Sequence, residues 1–180
     1  FINYYLIAQN YQLLGKTKKA IKALSYIPLN TYLGWNACLK SASLNINLNN
    51  YKSAENNILK LKNYASDRID IYYKLGELYH NKKNYNKAIS AFDKAIFLSN
   101  KTNEKDWYLY YSRGMAYERS KDWKKAEKDF LRALKLSPNQ PLVLNYLGYT
   151  WVDFGIKLDE AEKFIKLAIS LRPKDGYFID

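Results

Sequence analysis

The chain has one cysteine, one histidine, one methionine, seven glycines and four prolines among its 180 residues. A lone cysteine, Cys38, excludes an internal disulfide and leaves the redox compartment open. One histidine, His80, beside that one cysteine makes neither a metal cluster nor a nucleophile–base pair. The expectation is therefore no metal, no cofactor and no enzyme, with His80 an ordinary surface or groove residue. The scarce glycines stand singly, so no phosphate-cradling loop is present, and a turn-rich β fold is disfavoured. No uncharged apolar run approaches the ~18 residues that a membrane-spanning helix needs. The sequence begins at Phe1 without a Met and stops at Phe178-Ile179-Asp180 inside a new apolar pattern. It reads as a piece of a longer protein, in which a signal peptide or anchor would lie elsewhere.

Aromatic residues and lysine are what the chain has in abundance. Hydrophobic residues make up 48% and aromatic residues 16%, with 18 tyrosines, which is too apolar for a disordered chain. The net charge is +12, from 29 Lys and Arg against 17 Asp and Glu. That excess permits a nucleic-acid or anionic-membrane partner, and its placement has to decide.

Residues 107–140 supply the organising pattern. Trp107, Tyr110, Gly114 and Tyr117 fall on one face of a helix, and Trp123, Ala126, Phe130 and Ala133 repeat the same steps after a break at Ser120-Lys121-Asp122. Two helices this short cannot bury both apolar faces alone, so they need neighbours. Counted from Trp107 as position 1, the unit has an aromatic at 4, Gly at 8, Tyr at 11, Ala at 20, Phe at 24, Ala at 27 and Pro138 at 32. This resembles the tetratricopeptide repeat (TPR), whose period is 34 residues. Arg113 stands where the repeat usually has Leu, at position 7.

The same ruler finds copies at 1–34, 35–68, 69–102 and 141–175, with 176–180 opening a further helix. Copy 35–68 fits most weakly, because Cys38, Ser41 and Asn45 miss positions 4, 7 and 11. Asn100 replaces Pro in copy 69–102, and the last copy carries one extra residue near Gly155-Ile156-Lys157. Asn103 to Asp106 are inserted before the fourth copy and are expected to form a surface loop. The resemblance implies an all-α fold, a single right-handed α-solenoid of helix-turn-helix units over 1–180. Gly or Ala at 8, 20 and 27 lets helix axes approach to ~8–10 Å. Asn50, Asn84 and Asp122, all at position 16, are expected to cap the second helices. Pro138 and Pro173 should stop second helices, Pro141 should open a first helix, and Pro28 should end the first copy's second helix early.

The phrases DWYLYYSRGMAYERSKDWKKAEKDF and LVLNYLGYTWVDFGIKLDEAEKFIKLAISLRPKDGYFID resemble a family of long, multi-repeat, largely uncharacterised bacterial TPR proteins. Members often carry export signals, which implies the bacterial envelope or periplasm, with the cytoplasm as the alternative.

What the TPR resemblance implies for function is a non-catalytic scaffold for protein–protein interaction. A peptide or partner helix would lie on the concave face, which first helices line through positions 2, 5, 6, 9, 12 and 13. In this chain those positions mark Tyr5, Gln9, Gln12, Lys40, Tyr73, Lys74 and Glu77 in the first three copies. The last two copies contribute Tyr108, Tyr111, Met115, Glu118, Arg119, Asn145, Tyr146 and Tyr149. The residues by which chaperone-adaptor TPR domains clamp a C-terminal carboxylate have no match in any register. Across the six positions three cations (Lys40, Lys74, Arg119) face four anions (Asp70, Glu77, Glu118, Asp153), so the basic excess lies elsewhere. It collects in Lys16-Thr17-Lys18-Lys19, Lys82-Lys83 and Lys124-Lys125, and the acids Glu127, Asp129, Glu160 and Glu162 read as solvated among lysines. Two alternatives remain: a basic surface for nucleic acid or anionic membrane, and a structural array that self-associates through Tyr177, Phe178 and Ile179.

Overall fold

The computed structural model describes residues 1–99 and 103–172. Among them are ten α-helices and no strand: α1 (Ile2–Leu13), α2 (Thr17–Ser25), α3 (Gly34–Asn47), α4 (Tyr51–Tyr64), α5 (Ile69–Asn81), α6 (Tyr85–Leu98), α7 (Trp107–Arg119), α8 (Trp123–Leu136), α9 (Pro141–Asp153) and α10 (Leu158–Leu171). Each successive pair follows one copy of the repeat, with α3 starting one residue before its copy, at Gly34. The contacts divide the chain into two compact units, Phe1–Leu98 and Ser99–Asp180.

A shared turn sets the register. Position 15 of every copy has a left-handed backbone: Gly15, Asn49, Lys83, Lys121 and Gly155, with φ between 58° and 68°. After it, the N–H of position 16 returns to the carbonyl of position 11, as in Asn84 to Tyr79 at 2.8 Å and Asp122 to Tyr117 at 2.9 Å. The N–H of position 15 closes on position 12, as in Lys83 to His80 at 2.9 Å. These two bonds are a Schellman closure, which satisfies carbonyls at the end of the first helix and turns the chain back within three residues. Because an L side chain is strained at this φ, Gly15→Ala should destabilise the first unit by about 1 kcal/mol, read as a lower urea midpoint. No neighbour crowds that position, so the backbone alone is tested. The extra residue of the last copy adds a second left-handed turn, at Lys157 (φ 47°).

Small residues at 8 and 20 are buried throughout, including Ala8, Ala20, Ala42, Ala54, Ala88, Ala126 and Ala161, each at 0% exposure. They let the paired helices close until position 24 reaches position 8. A Cβ on Gly76 would lie 2.3 Å from the Phe92 ring, and one on Gly114 would lie 2.6 Å from Phe130. In the first unit one cluster joins Ala42, Ile46 and Ile58 to Ile71, Leu75 and Leu78, so α3 and α4 share a core with α5. The weakly patterned second copy adds polar bonds to that apolar core: the buried Asn45 amide donates to the Ser41 carbonyl one turn back at 2.8 Å, and the Asn57 amide of α4 donates to Ser41 Oγ at 3.1 Å.

The capping expectation holds in part. Asn84 and Asp122 accept from the N–H groups of Lys87 and Lys125, at 3.3 and 3.4 Å. Asn50 occupies the same place but makes no capping bond; α4 begins without one. Pro141 is the first residue of α9, α8 ends at Leu136 before Pro138, and α2 ends at Ser25 before Pro28. Asn100, Pro173 and the 176–180 segment lie outside the described residues. The insertion before the fourth copy is more than a loop: Glu104–Asp106 form a 3-10 turn, and Asp106 is buried at 7% exposure.

Candidate partner-binding site

In the second unit, residues from α7 and α9 line a cleft of about 560 Å³. Glu118 and Arg119 come from the end of α7, and Asn145, Tyr146, Tyr149, Thr150, Asp153 and Phe154 from α9 and its exit. All but Thr150 and Phe154 stand at the inward positions marked from the sequence. Tyr146 Oη donates to Glu118 Oε2 at 3.1 Å, and Arg119 pairs with the same carboxylate at 3.3 Å. Asn145 is only 5% exposed, and its Oδ1 has no hydrogen-bond partner among the described residues. Asp153 is exposed, is the last residue of α9, and makes no ion pair among the described residues.

Rings support the cleft from behind. Phe130 lies 5.3 Å from Tyr146 and 6.0 Å from Tyr111, while Tyr111 and Tyr146 meet edge to face at 6.0 Å. Trp123 packs 5.1 Å from Phe154. Tyr111 therefore shares in packing, whereas Tyr149 is 40% exposed and has no ring partner among the described residues. Tyr108 and Met115 sit half-buried on α7 away from the cleft lining. Thr150 and Phe154 lie outside the six inward positions; the one sequence signal for Phe154 is a large aromatic at the helix exit, where a polar turn residue is expected.

Two of the acids read as solvated are not. Asp129 is 5% exposed and takes a bidentate pair from Arg113, with both oxygens at 2.7 Å. Arg113 thus fills position 7 by pairing across α7 and α8, with the rings of Tyr110 and Tyr117 beside it at 5.7 and 5.8 Å. Glu127 is half-buried and accepts from Trp151 Nε1 and Lys157 Nζ, each at 2.7 Å. Burial acts to raise its pKa, but the Lys157 and Trp151 hydrogen bonds together outweigh it and hold the carboxyl below the usual glutamate value. Glu162 is exposed as expected and pairs with Lys166 at 2.5 Å.

In the first unit the marked residues are mostly engaged with one another. Lys74 pairs with Glu77 and lies over the Tyr73 ring, and Lys40 lies 5.6 Å from the Tyr5 centroid. Asp70 accepts from Trp35 Nε1 at 2.8 Å and pairs with Arg68, which itself covers the Trp35 ring at 4.1 Å. Gln9 and Gln12 are exposed. None of these marked residues lines the unit's clefts of about 340 Å³ and 290 Å³. Lysines outside the marked positions also lie over tyrosines, as Lys62 and Lys94 do over Tyr72 and Lys125 over Tyr117, so part of the basic excess covers aromatic surface.

Residues 67–139 match the tetratricopeptide repeat family model. That segment carries the TPR signature, and the paired helices on either side of it repeat the same turn. The fold of the chain is that of solved TPR solenoids. TTC0263, a thermophilic TPR protein of Thermus thermophilus, is 21% identical over 98% of this chain and 93% of its own, with a TM-score of 0.79. A tetratricopeptide repeat protein from Parabacteroides merdae is 20% identical over 97% of this chain and 66% of its own, also with a TM-score of 0.79. The APC/C hetero-tetramer Cut9–Hcn1 contains a chain that is 18% identical over 96% of this chain and 33% of its own, with a TM-score of 0.74. Among curated proteins none matches. TPR repeats generally mediate protein–protein interaction and are generally non-catalytic. Among the described residues, no group of three His, Cys, Asp or Glu could hold a metal ion. No described helix is long and apolar enough to cross a membrane.

Proposed function

We propose that this chain, with its TPR fold, is a non-catalytic scaffold that seats an extended peptide or a partner helix on its first-helix faces, with the α7–α9 cleft as the principal seat. The observation that carries this reading is the cleft itself, which gathers inward-position side chains from two successive repeats. Its volume of about 560 Å³ falls within the ~300–1,000 Å³ span of ligand clefts, and its aromatic and amide lining offers contact area and hydrogen bonds together. The Cut9–Hcn1 neighbour, whose structure is a hetero-tetramer, supports a protein occupant. A basic surface for nucleic acid has less support, because several lysines lie over tyrosine rings.

The test begins with a pull-down by the full-length protein to recover a partner. Tyr149→Ala should then weaken that partner at least tenfold in a titration, with an unchanged circular dichroism spectrum, because Tyr149 is exposed in the cleft. Equal affinity of the variant and the parent would sink the reading. Tyr111→Ala should also weaken binding, but with a loss of stability, because Tyr111 packs on Phe130 and Tyr146.

A further inference from the structure

The surfaces that join successive repeats are filled at two places inside the chain and open at two others. From position 20, the second helices of the second, fourth and last copies read Ala-Glu: Ala54-Glu55, Ala126-Glu127 and Ala161-Glu162. Glu55 accepts from Tyr79 Oη of the following first helix at 3.1 Å and from Lys82 at 3.5 Å. Glu127 accepts from Trp151 Nε1 and Lys157 Nζ, each at 2.7 Å. In both, the carboxylate of a second helix holds the aromatic at position 11 of the next first helix. A lysine of the next turn adds a charge-assisted bond. Glu162 has no aromatic donor among the described residues: it is exposed and pairs with Lys166, one turn along its own helix. Around it α10 keeps Ile165 and Ile169 half-buried, at the places where α8 buries Phe130 and Leu134 at 0% and 9% exposure.

α1 and its turn carry the other half of that junction. Tyr11 stands at position 11, and Lys16 is the residue before α2 as Lys157 is the residue before α10. The Tyr11 hydroxyl makes no hydrogen bond among the described residues, and Lys19 Nζ lies 5.8 Å from its ring centroid. Positions 4 and 7 are open beside it. Tyr4 and Ile7 are each 42% exposed, whereas Leu144 and Leu147 at the same positions of the last copy are 2% and 0% exposed. Tyr4, Ile7, Tyr11 and Tyr26 line, with Lys19 and Lys22, a groove of about 340 Å³. An open apolar groove of this kind marks an interaction site. Its charge suits an acidic helix: residues 1–54 contain six lysines and neither Asp nor Glu. α10 supplies the complement, with Asp159 and Glu160 in its first turn ahead of Glu162. A nucleic acid or an anionic lipid surface would use the lysines but would bring no carboxylate on an apolar helix face to Tyr11.

We propose that α10 of one molecule packs into the α1 groove of a second molecule of this chain, with Glu162 accepting from Tyr11 Oη and Lys16 Nζ. The contact is head to tail, so it builds open chains of molecules and does not close as a two-fold dimer. It uses none of the residues that line the α7–α9 cleft, and so goes beyond the groove reading and stands without it.

Analytical ultracentrifugation of the full 180-residue chain tests it. The sedimentation coefficient should rise with concentration up to about 100 µM, the micromolar range in which a small interface associates. Ile7→Glu blocks the groove, and Glu162→Lys sets a cation of α10 against Lys16 and Lys19. Both residues are exposed, so each variant should keep the parent's circular dichroism spectrum while its self-association weakens about tenfold or more. Mixed in equal amounts, the two variants should form a dimer of one each, because one keeps its α10 face and the other keeps its groove. Single variants that associate like the parent, or a mixture that stays monomeric, would overturn the head-to-tail contact. A parent chain that stays monomeric at that concentration would overturn the second molecule as occupant and leave the groove to an acidic helix from elsewhere.

Discussion

Asp129→Ala should destabilise the protein by about 3–5 kcal/mol, measured by urea unfolding followed by circular dichroism. The carboxylate is 5% exposed and takes both nitrogens of Arg113 at 2.7 Å. Removing it leaves a guanidinium, 18% exposed, without its counter-ion between the first and second helices of its repeat. Arg113→Leu alone should cost a comparable amount, because it strands the acid instead. The double change Arg113→Leu with Asp129→Ala should return to within about 1 kcal/mol of the parent or above it, since buried pairs seldom outperform good apolar packing. The third copy already uses that apolar solution at the same two places, with Leu75 and Ala91 buried at 6% and 8% exposure. A single Asp129→Ala loss under about 1 kcal/mol would mean that the pair is not desolvated.

Phe130→Ala should cost about 3–5 kcal/mol, from lost transfer energy and the cavity that remains. Phe130 is 0% exposed, closes against Gly114, and supports Tyr111 and Tyr146 behind the cleft. Gly114→Ala should cost roughly 1–3 kcal/mol in the parent, because its Cβ would stand 2.6 Å from the Phe130 ring. In the Phe130→Ala background the same methyl enters an emptied space and should cost little. The two changes together should therefore fall short of the sum of their separate costs, by about 1 kcal/mol or more. Strict additivity in denaturant titrations would show that the two residues do not meet.

The repeat is legible in the sequence because its grammar is local. Small residues at 8 and 20, a large one at 24 and a turn after position 14 recur at one spacing, and each acts within its own helix pair. The left-handed turn at position 15 is not legible, because Asn49, Lys83 and Lys121 adopt it alongside Gly15 and Gly155. Only the closing bonds to positions 11 and 12 reveal a common geometry across those residue types. Capping fails at Asn50 for a related reason: the residue type permits a cap, but the backbone and side-chain rotamer decide whether the bond is made.

The marked binding residues divide along the same line. Position numbers put Asn145, Tyr146, Tyr149, Glu118 and Arg119 on inward faces, and the structure gathers these five into one cleft. The same numbers put Lys74 and Glu77 beside each other, where they neutralise one another as an ion pair. Asp129 reads as solvated because a helical face dense with lysine looks uniformly exposed in sequence, while its own position turns toward Arg113.

The sequence by itself determined that this chain is a series of helix pairs, because a fixed period of apolar and small residues admits one way of burying short helices. Tertiary structure alone decided which charges are spent within the fold and which remain. Arg113 and Lys157 find their carboxylates, Asp129 and Glu127, only when packing brings distant segments together, whereas Lys74–Glu77 and Arg119–Glu118 pair locally within one helix. Asp153 makes no ion pair among the described residues, because α9 ends there with no cation in its last turn.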